Sequence, residues 1–166
     1  MSTRQASPDF QSALSMLQIC DDDENLGRQI GAMIANTGAD VGIFCSTYFN
    51  TLEWFPIIPS CDIYDRIATL STGPSLDFAI LILCLHLITK IDQTNCDCET
   101  MMHFYLTAKR FYSLVTSSGR ISKELVQSEI ILALYEYGNA MPDTACVSVA
   151  GPARMALVLG YDKTVY

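Results

Sequence analysis

Charge is scarce in this chain. Asp, Glu, Lys and Arg make up only 17% of its 166 residues, and it holds 9 Gly and 6 Pro. So little glycine and proline excludes a collagen-like or Pro/Gly-rich low-complexity chain. Half of the residues are apolar, and mean hydropathy is +0.25. That excludes an intrinsically disordered chain, which needs low hydrophobicity and high charge. Basic residues are scarcer still: 10 Lys and Arg face 18 Asp and Glu, for a net charge of -8. A chain of that sign repels phosphate backbones, so direct DNA binding by this chain is not expected.

Long apolar runs are missing too. The longest covers residues 78–88 and is interrupted by His86, whereas a membrane-spanning helix takes about 20 residues. Residues 1–12 carry one Arg and no apolar block, so they do not form a secretory signal. The expectation is a soluble, intracellular protein with no membrane partner. The seven cysteines, at 20, 45, 61, 84, 96, 98 and 146, then read as reduced thiols that mostly fill core. The one close pair, Cys96 and Cys98, has no second pair to complete four zinc ligands. Catalytic signatures are also lacking: there is no G-x-S-x-G, H-E-x-x-H, G-x-G-x-x-G or phosphate-binding loop. A non-enzyme without a cofactor of its own is therefore expected. His86 reads as a buried, hydrogen-bonded core histidine, and His103 as a surface or capping residue.

What is present is helical periodicity. Leu26, Ile30, Met33 and Ile34 recur at helical steps behind the acidic run 21–24, which suits a helix start. Gly38 should end that helix. A second begins at Asp40, a good N-cap, with Phe44, Tyr48 and Leu52 on one face, and stops at Pro56. Residues 54–59, Trp-Phe-Pro-Ile-Ile-Pro, form an apolar segment bounded by two prolines and predict a buried, extended connection. Ser60 should cap a third helix carrying Ile63, Ile67 and Leu70, broken at Gly73-Pro74. Ser75 should cap a fourth, apolar nearly all round, which predicts the most buried helix of the fold. After a polar loop at 92–99, a fifth helix places Met101, Phe104, Tyr105, Ala108, Phe111, Tyr112 and Val115 at three- and four-residue steps, closed by Gly119. A sixth runs from Ser122 to Gly138. Pro142-Asp143 opens a last segment, roughly 144–159, with Pro152 inside it and Gly160 at its end. Lys109-Arg110 is the densest basic spot and reads as ordinary helix surface.

These patterns predict an all-α fold of about seven helices with antiparallel neighbours in a bundle or array. Residues 1–39 read as an N-terminal segment with one or two short helices, and 40–166 as the main domain.

Several segments, taken in order, resemble a known family. They are Tyr48-Phe49 followed by Trp54-Phe55-Pro56-Ile57-Ile58-Pro59, the apolar stretch from Asp77 to Cys84, and Tyr105-Leu106-Thr107-Ala108-Lys109-Arg110-Phe111-Tyr112 with Ser118-Gly119 after it. Gln127, Ala133-Leu134-Tyr135-Glu136-Tyr137-Gly138 and Ala153-Arg154-Met155-Ala156-Leu157-Val158-Leu159-Gly160 follow at matching spacing. Together they resemble the fungal-specific transcription factor regulatory domain, the middle homology region of fungal zinc-cluster regulators. The resemblance implies a helical regulatory protein of RNA polymerase II transcription, acting in the nucleus. It also implies protein partners in the transcription machinery or self-association, and a small-molecule effector. Zinc would enter only through a six-cysteine cluster upstream. The family's domain continues beyond the Ala153–Gly160 motif, so the expectation is a partial, truncated domain, and Gly151-Pro152 replaces the family's ordinary helix formers. The residues singled out are structural. Trp54, Phe55, Pro56 and Pro59 should form a buried clamp, and Tyr105, Tyr112, Tyr135 and Tyr137 should pack or line a pocket. The rival reading is a small helical ligand-binding or scaffold protein unrelated to transcription.

Overall fold

A computed structural model describes residues 23–36, 40–51, 57–71, 73–90 and 98–161. Among these, all regular structure is helical, as the periodicity predicted. The helices are α1 (Asp23–Asn36), α2 (Val41–Thr51), α3 (Ser60–Ile67), α4 (Leu76–Ile88), α5 (Cys98–Ser117), α6 (Lys123–Gly138) and α7 (Pro142–Val158), with a short 3-10 helix at Ala68–Ser71. None of them is long and apolar enough to cross a membrane.

Helix α4 is the axis of the fold. Every residue from Leu76 to Leu87 is buried, because α1, α2, α5 and α6 all pack against it. A helix hydrophobic on every side has no other stable environment in water. Ile30 and Ile34 of α1 lie in the same core as Phe44, Tyr48, Phe78 and Leu125. Close approach there needs glycine: a Cβ on Gly27 would stand 2.5 Å from the Pro74 carbonyl oxygen. Helix α7 is one layer further out and packs mainly on α6.

Local chemistry explains most of the boundaries. Asp40 Oδ1 accepts from the Gly42 and Ile43 amides at 2.7 and 3.3 Å, capping α2. Ser122 Oγ accepts from the Leu125 amide at 3.2 Å, capping α6. Gly119 and Gly160 adopt φ of 81° and 79° just past α5 and α7, the left-handed conformation that glycine takes without a Cβ penalty.

Two expected caps differ. Pro59, extended at φ -64° and ψ 131°, precedes α3, so Ser60 is already inside the helix. Ser75 precedes α4, yet its hydroxyl caps no amide and instead accepts from Arg66 Nη2 at 3.3 Å. Arg66 also sits over the Phe78 ring, 4.1 Å from its centroid, and pairs with Glu124. Its planar cation thus ties α3 to α4 and α6. The end of α1 at Gly38, residues Leu52 and Trp54 to Pro56, and the loop around Cys96 lie outside the described residues.

Candidate functional site: paired tyrosines and glutamates between α5, α6 and α7

Helices α5 and α6 are joined by a short turn and run in opposite directions. Tyr105 and Tyr112 stand seven residues apart on α5, and Glu129 and Glu136 seven apart on α6. Each tyrosine therefore meets one glutamate. Tyr105 Oη donates to Glu136 Oε1 at 2.8 Å, and Tyr112 Oη donates to Glu129 Oε2.

The carboxylate of the inner layer is closed to solvent. Glu136 has 0% exposure. Lys109 Nζ lies 3.0 Å from Glu136 Oε1 and donates to Ser148 Oγ of α7 at 2.9 Å. Lys109 is thus the counter-ion of a fully buried carboxylate, which corrects its reading as ordinary surface. Carrying a carboxylate out of water costs several kcal/mol unless a cation and hydrogen bonds compensate. The compensation is incomplete, since Glu136 Oε2 has no hydrogen-bond partner among the described residues. Tyr105 and Tyr135 stack beside it, with ring centroids 5.5 Å apart and planes 24° apart. Burial, and then donation to the Glu136 carboxylate, pushes the Tyr105 phenol well above its ordinary range.

The outer layer opens to solvent. Tyr112, Glu129, Gly151, Arg154 and Met155 line a groove of about 280 Å³, together with Thr116, Gly119, Arg120 and Ile121. A Cβ at 151 would lie 2.7 Å from Glu129 Cδ, so a larger residue there would make the Glu129 carboxylate swing aside. That accounts for the departure from helix formers noted at Gly151-Pro152. Pro152 itself is buried within α7. Burial raises the Glu129 carboxyl above its usual range, against the lowering effects of Tyr112, Lys109 and Arg154. Burial also raises the Tyr112 phenol, helped by its bond to Glu129. Arg120 lies 3.3 Å from Asp77 Oδ1 as a charge contact, without the alignment of a hydrogen bond. The groove therefore presents the guanidinium groups of Arg120 and Arg154 and the carboxylate of Glu129 beside Ile121 and Met155.

The other singled-out residues are dispersed. Tyr135 is packed inside, whereas Tyr137 is 72% exposed and neither packs nor lines the groove. It lies in the last turn of α6, on a side that no other helix among the described residues covers. Pro59 is exposed rather than buried, because the chain turns outward there to start α3. The connection before it is held by Ile58, which is buried, and by Gln127 Nε2, which donates to the Ile57 carbonyl at 3.0 Å. Trp54, Phe55 and Pro56 lie outside the described residues.

His86 is buried between Phe44 and Phe104, at ring-centroid distances of 5.3 and 5.5 Å. Its Nδ1 has no hydrogen-bond partner among the described residues, so that nitrogen differs from the expected hydrogen-bonded histidine. Burial lowers its pKa to about 4. Cys45 and Cys84 are free and buried, and Cys61 and Cys146 are free and exposed. Burial pushes both buried thiols up to about 12, which makes them poor nucleophiles. No three His, Cys, Asp or Glu side chains come together as a metal site among the described residues.

Glu129, Glu136, Ser148 and Arg154 were not singled out as site residues from the sequence. The signal was there as two seven-residue spacings, tyrosines on one helix and glutamates on the next.

No family model matches the chain, and no solved structure matches it. A curated relative is transcription factor BOA15 of Botryotinia fuckeliana (strain B05.10), 30% identical over 115 residues. The aligned region covers 68% of this chain and 63% of that protein, so the chain spans a little under two thirds of the relative's length. This protein is thus related to a fungal transcription factor.

Proposed function

We propose that this chain is a non-enzymatic regulatory-domain protein of RNA polymerase II transcription, of the fungal zinc-cluster regulator type, and that it works in the nucleus. The observation that carries this reading is the 30% identity to a protein named as a transcription factor over 115 residues. The all-helical fold agrees with the architecture that the resemblance implies. The charge balance favours protein contacts over DNA contacts. With 10 basic residues against 18 acidic ones, the chain has little means to release counterions from a duplex. Its partners are proteins of the transcription machinery or a second copy of itself. The groove at Tyr112, Glu129 and Arg154 is the seat for a small-molecule effector.

Two measurements test this reading. Deleting the gene in its host should change a defined set of transcripts. The purified chain, titrated into labelled duplex DNA at low salt, should show no salt-sensitive binding. An unchanged transcript profile would overturn the regulatory role. Tight, salt-sensitive DNA binding would overturn the mode of action.

A further inference from the structure

Helix α6 carries three glutamates, and two of them have a cation of their own. Glu124 pairs with Arg66, and Glu136 with Lys109 at 3.0 Å. Glu129 has none within ion-pair distance: among the described residues its carboxylate takes only the Tyr112 phenol, on Oε2. Arg154 of α7 is the matching case. It is exposed and lines the groove, yet it makes no hydrogen bond or ion pair with any described residue. Arg120, the other guanidinium of the groove, has Asp77 as its counter-ion at 3.3 Å.

The two unpaired charges are neighbours. The Glu129 carboxylate lies against Gly151, and Arg154 follows three residues later on the same side of α7, at 100° per residue. Arg154 acts on Glu129 through its charge, favouring the ionised carboxylate, but the two stand beyond the roughly 4 Å of an ion pair. Each keeps hydrogen-bonding capacity. Glu129 Oε1 can accept, and the guanidinium offers a planar fork of donors that matches a carboxylate. A ligand that bridges the gap puts a cationic donor on Glu129 and an anionic acceptor on Arg154. It is neutral overall, because Arg120 is balanced by Asp77 and Lys109 by Glu136. Ile121 and Met155 complete the lining and suit an apolar side chain. The groove, about 280 Å³, has room for a molecule of about ten non-hydrogen atoms.

On the reading of this groove as an effector seat, we infer that its ligand is a free α-amino acid with an apolar side chain, the carboxylate held by Arg154 and the ammonium by Glu129. An α-amino acid carries both charges on one carbon, so it spans two side chains that are near but not in contact. A monocarboxylate or a monoamine satisfies one of them and leaves the other unpaired. Affinity is modest. Two charge-assisted contacts at a partly exposed site, set against the cost of holding the ligand, give a Kd in the millimolar range.

L-norleucine, hexanoate and pentylamine form a matched set with both charges, the carboxylate alone and the ammonium alone. Saturation-transfer NMR and a chemical-shift titration of the full chain measure each. L-norleucine should bind in the millimolar range, and the other two roughly tenfold more weakly, since each lacks one charge-assisted contact. Arg154→Met should weaken norleucine about tenfold and leave pentylamine unchanged. Glu129→Gln should weaken norleucine by a similar factor and leave hexanoate unchanged. Arg154 is exposed on α7, so its variant keeps the fold even if Glu129→Gln does not, and far-UV circular dichroism checks both. Arg110→Met, at an exposed cation outside the groove, should change nothing. Hexanoate or pentylamine binding as tightly as norleucine, or an Arg154→Met chain that binds norleucine like the parent, would overturn the amino-acid class and leave the seat standing. No binding by any of the three at millimolar concentration would overturn both, while the transcript measurement decides the regulatory role on its own.

Discussion

Replacing Lys109 by Met removes one charge and leaves most of the stem. The carboxylate of Glu136, at 0% exposure, would then keep only the hydrogen bond from Tyr105, and its second oxygen already has none. Removing one partner of a buried pair typically costs 3–5 kcal/mol because the other charge is stranded. The Lys109 side chain is 31% exposed, so water can partly fill the place of the ammonium, and the expected loss is about 3 kcal/mol, near the lower bound. For a domain of this size that is a Tm lowered by roughly 6–12 °C, and a sizeable part of a total stability of order 5–15 kcal/mol. The assay is urea denaturation followed by far-UV circular dichroism. Adding Glu136→Gln to Lys109→Met should recover about half of the loss, since no unpaired charge remains. Lys123→Ala removes a partner from the exposed pair with Asp62 and should leave the curve unchanged. A Lys109→Met protein as stable as the parent, or a double variant less stable than Lys109→Met alone, would refute the reasoning.

Three further outcomes follow from the same structure. Because the His86 pKa is held at about 4 when folded against about 6.5 when unfolded, the unfolded chain binds more protons between those values. Stability should be full above pH 6.5 and fall toward pH 4, by about 2 kcal/mol after discounting for solvent screening, and a His86→Phe protein should show a flatter pH profile of urea midpoints. Gly151→Ala in an open helix would stabilise by about 0.5–1 kcal/mol, but here the new methyl meets the far end of the Glu129 side chain, which must swing away and give up its bond from Tyr112 at about 0.5–1.5 kcal/mol, so no net gain is expected, and a Tm raised by the open-helix amount would contradict the contact. In a chain with Cys20, Cys96 and Cys98 replaced by Ser, two thiols, Cys61 and Cys146, should react with a thiol reagent under native conditions and Cys45 and Cys84 only after denaturation, a contrast that mass spectrometry of labelled peptides can read.

The fold was largely legible because its signals are local and strong. Residues 78–88 are apolar nearly all round and the segment that holds them is long for a strand, which favours a central helix, and Asp40, Ser122, Gly119 and Gly160 mark their boundaries by capping chemistry. Pro59 and Tyr137 were misjudged because apolar and aromatic character says what a side chain prefers, not which face the neighbouring helices leave open. Lys109 was misjudged for a related reason: its meaning depends on Glu136, 27 positions later, and on the hairpin that brings them together. The site was less legible than the fold because it is made of pairs across helices. Gly151 is an irregularity in the helix pattern whose cause, the Glu129 side chain beside it, lies on another helix.

The central claim, that this helical module regulates transcription through protein contacts, is tested most directly by tethering it to DNA. The full chain would be fused to an unrelated DNA-binding domain and placed at a reporter promoter in a fungal host. The account predicts a clear change in reporter transcription relative to the DNA-binding domain alone. A parent fusion that is expressed, nuclear and bound at the promoter, yet leaves the reporter unchanged, would contradict it.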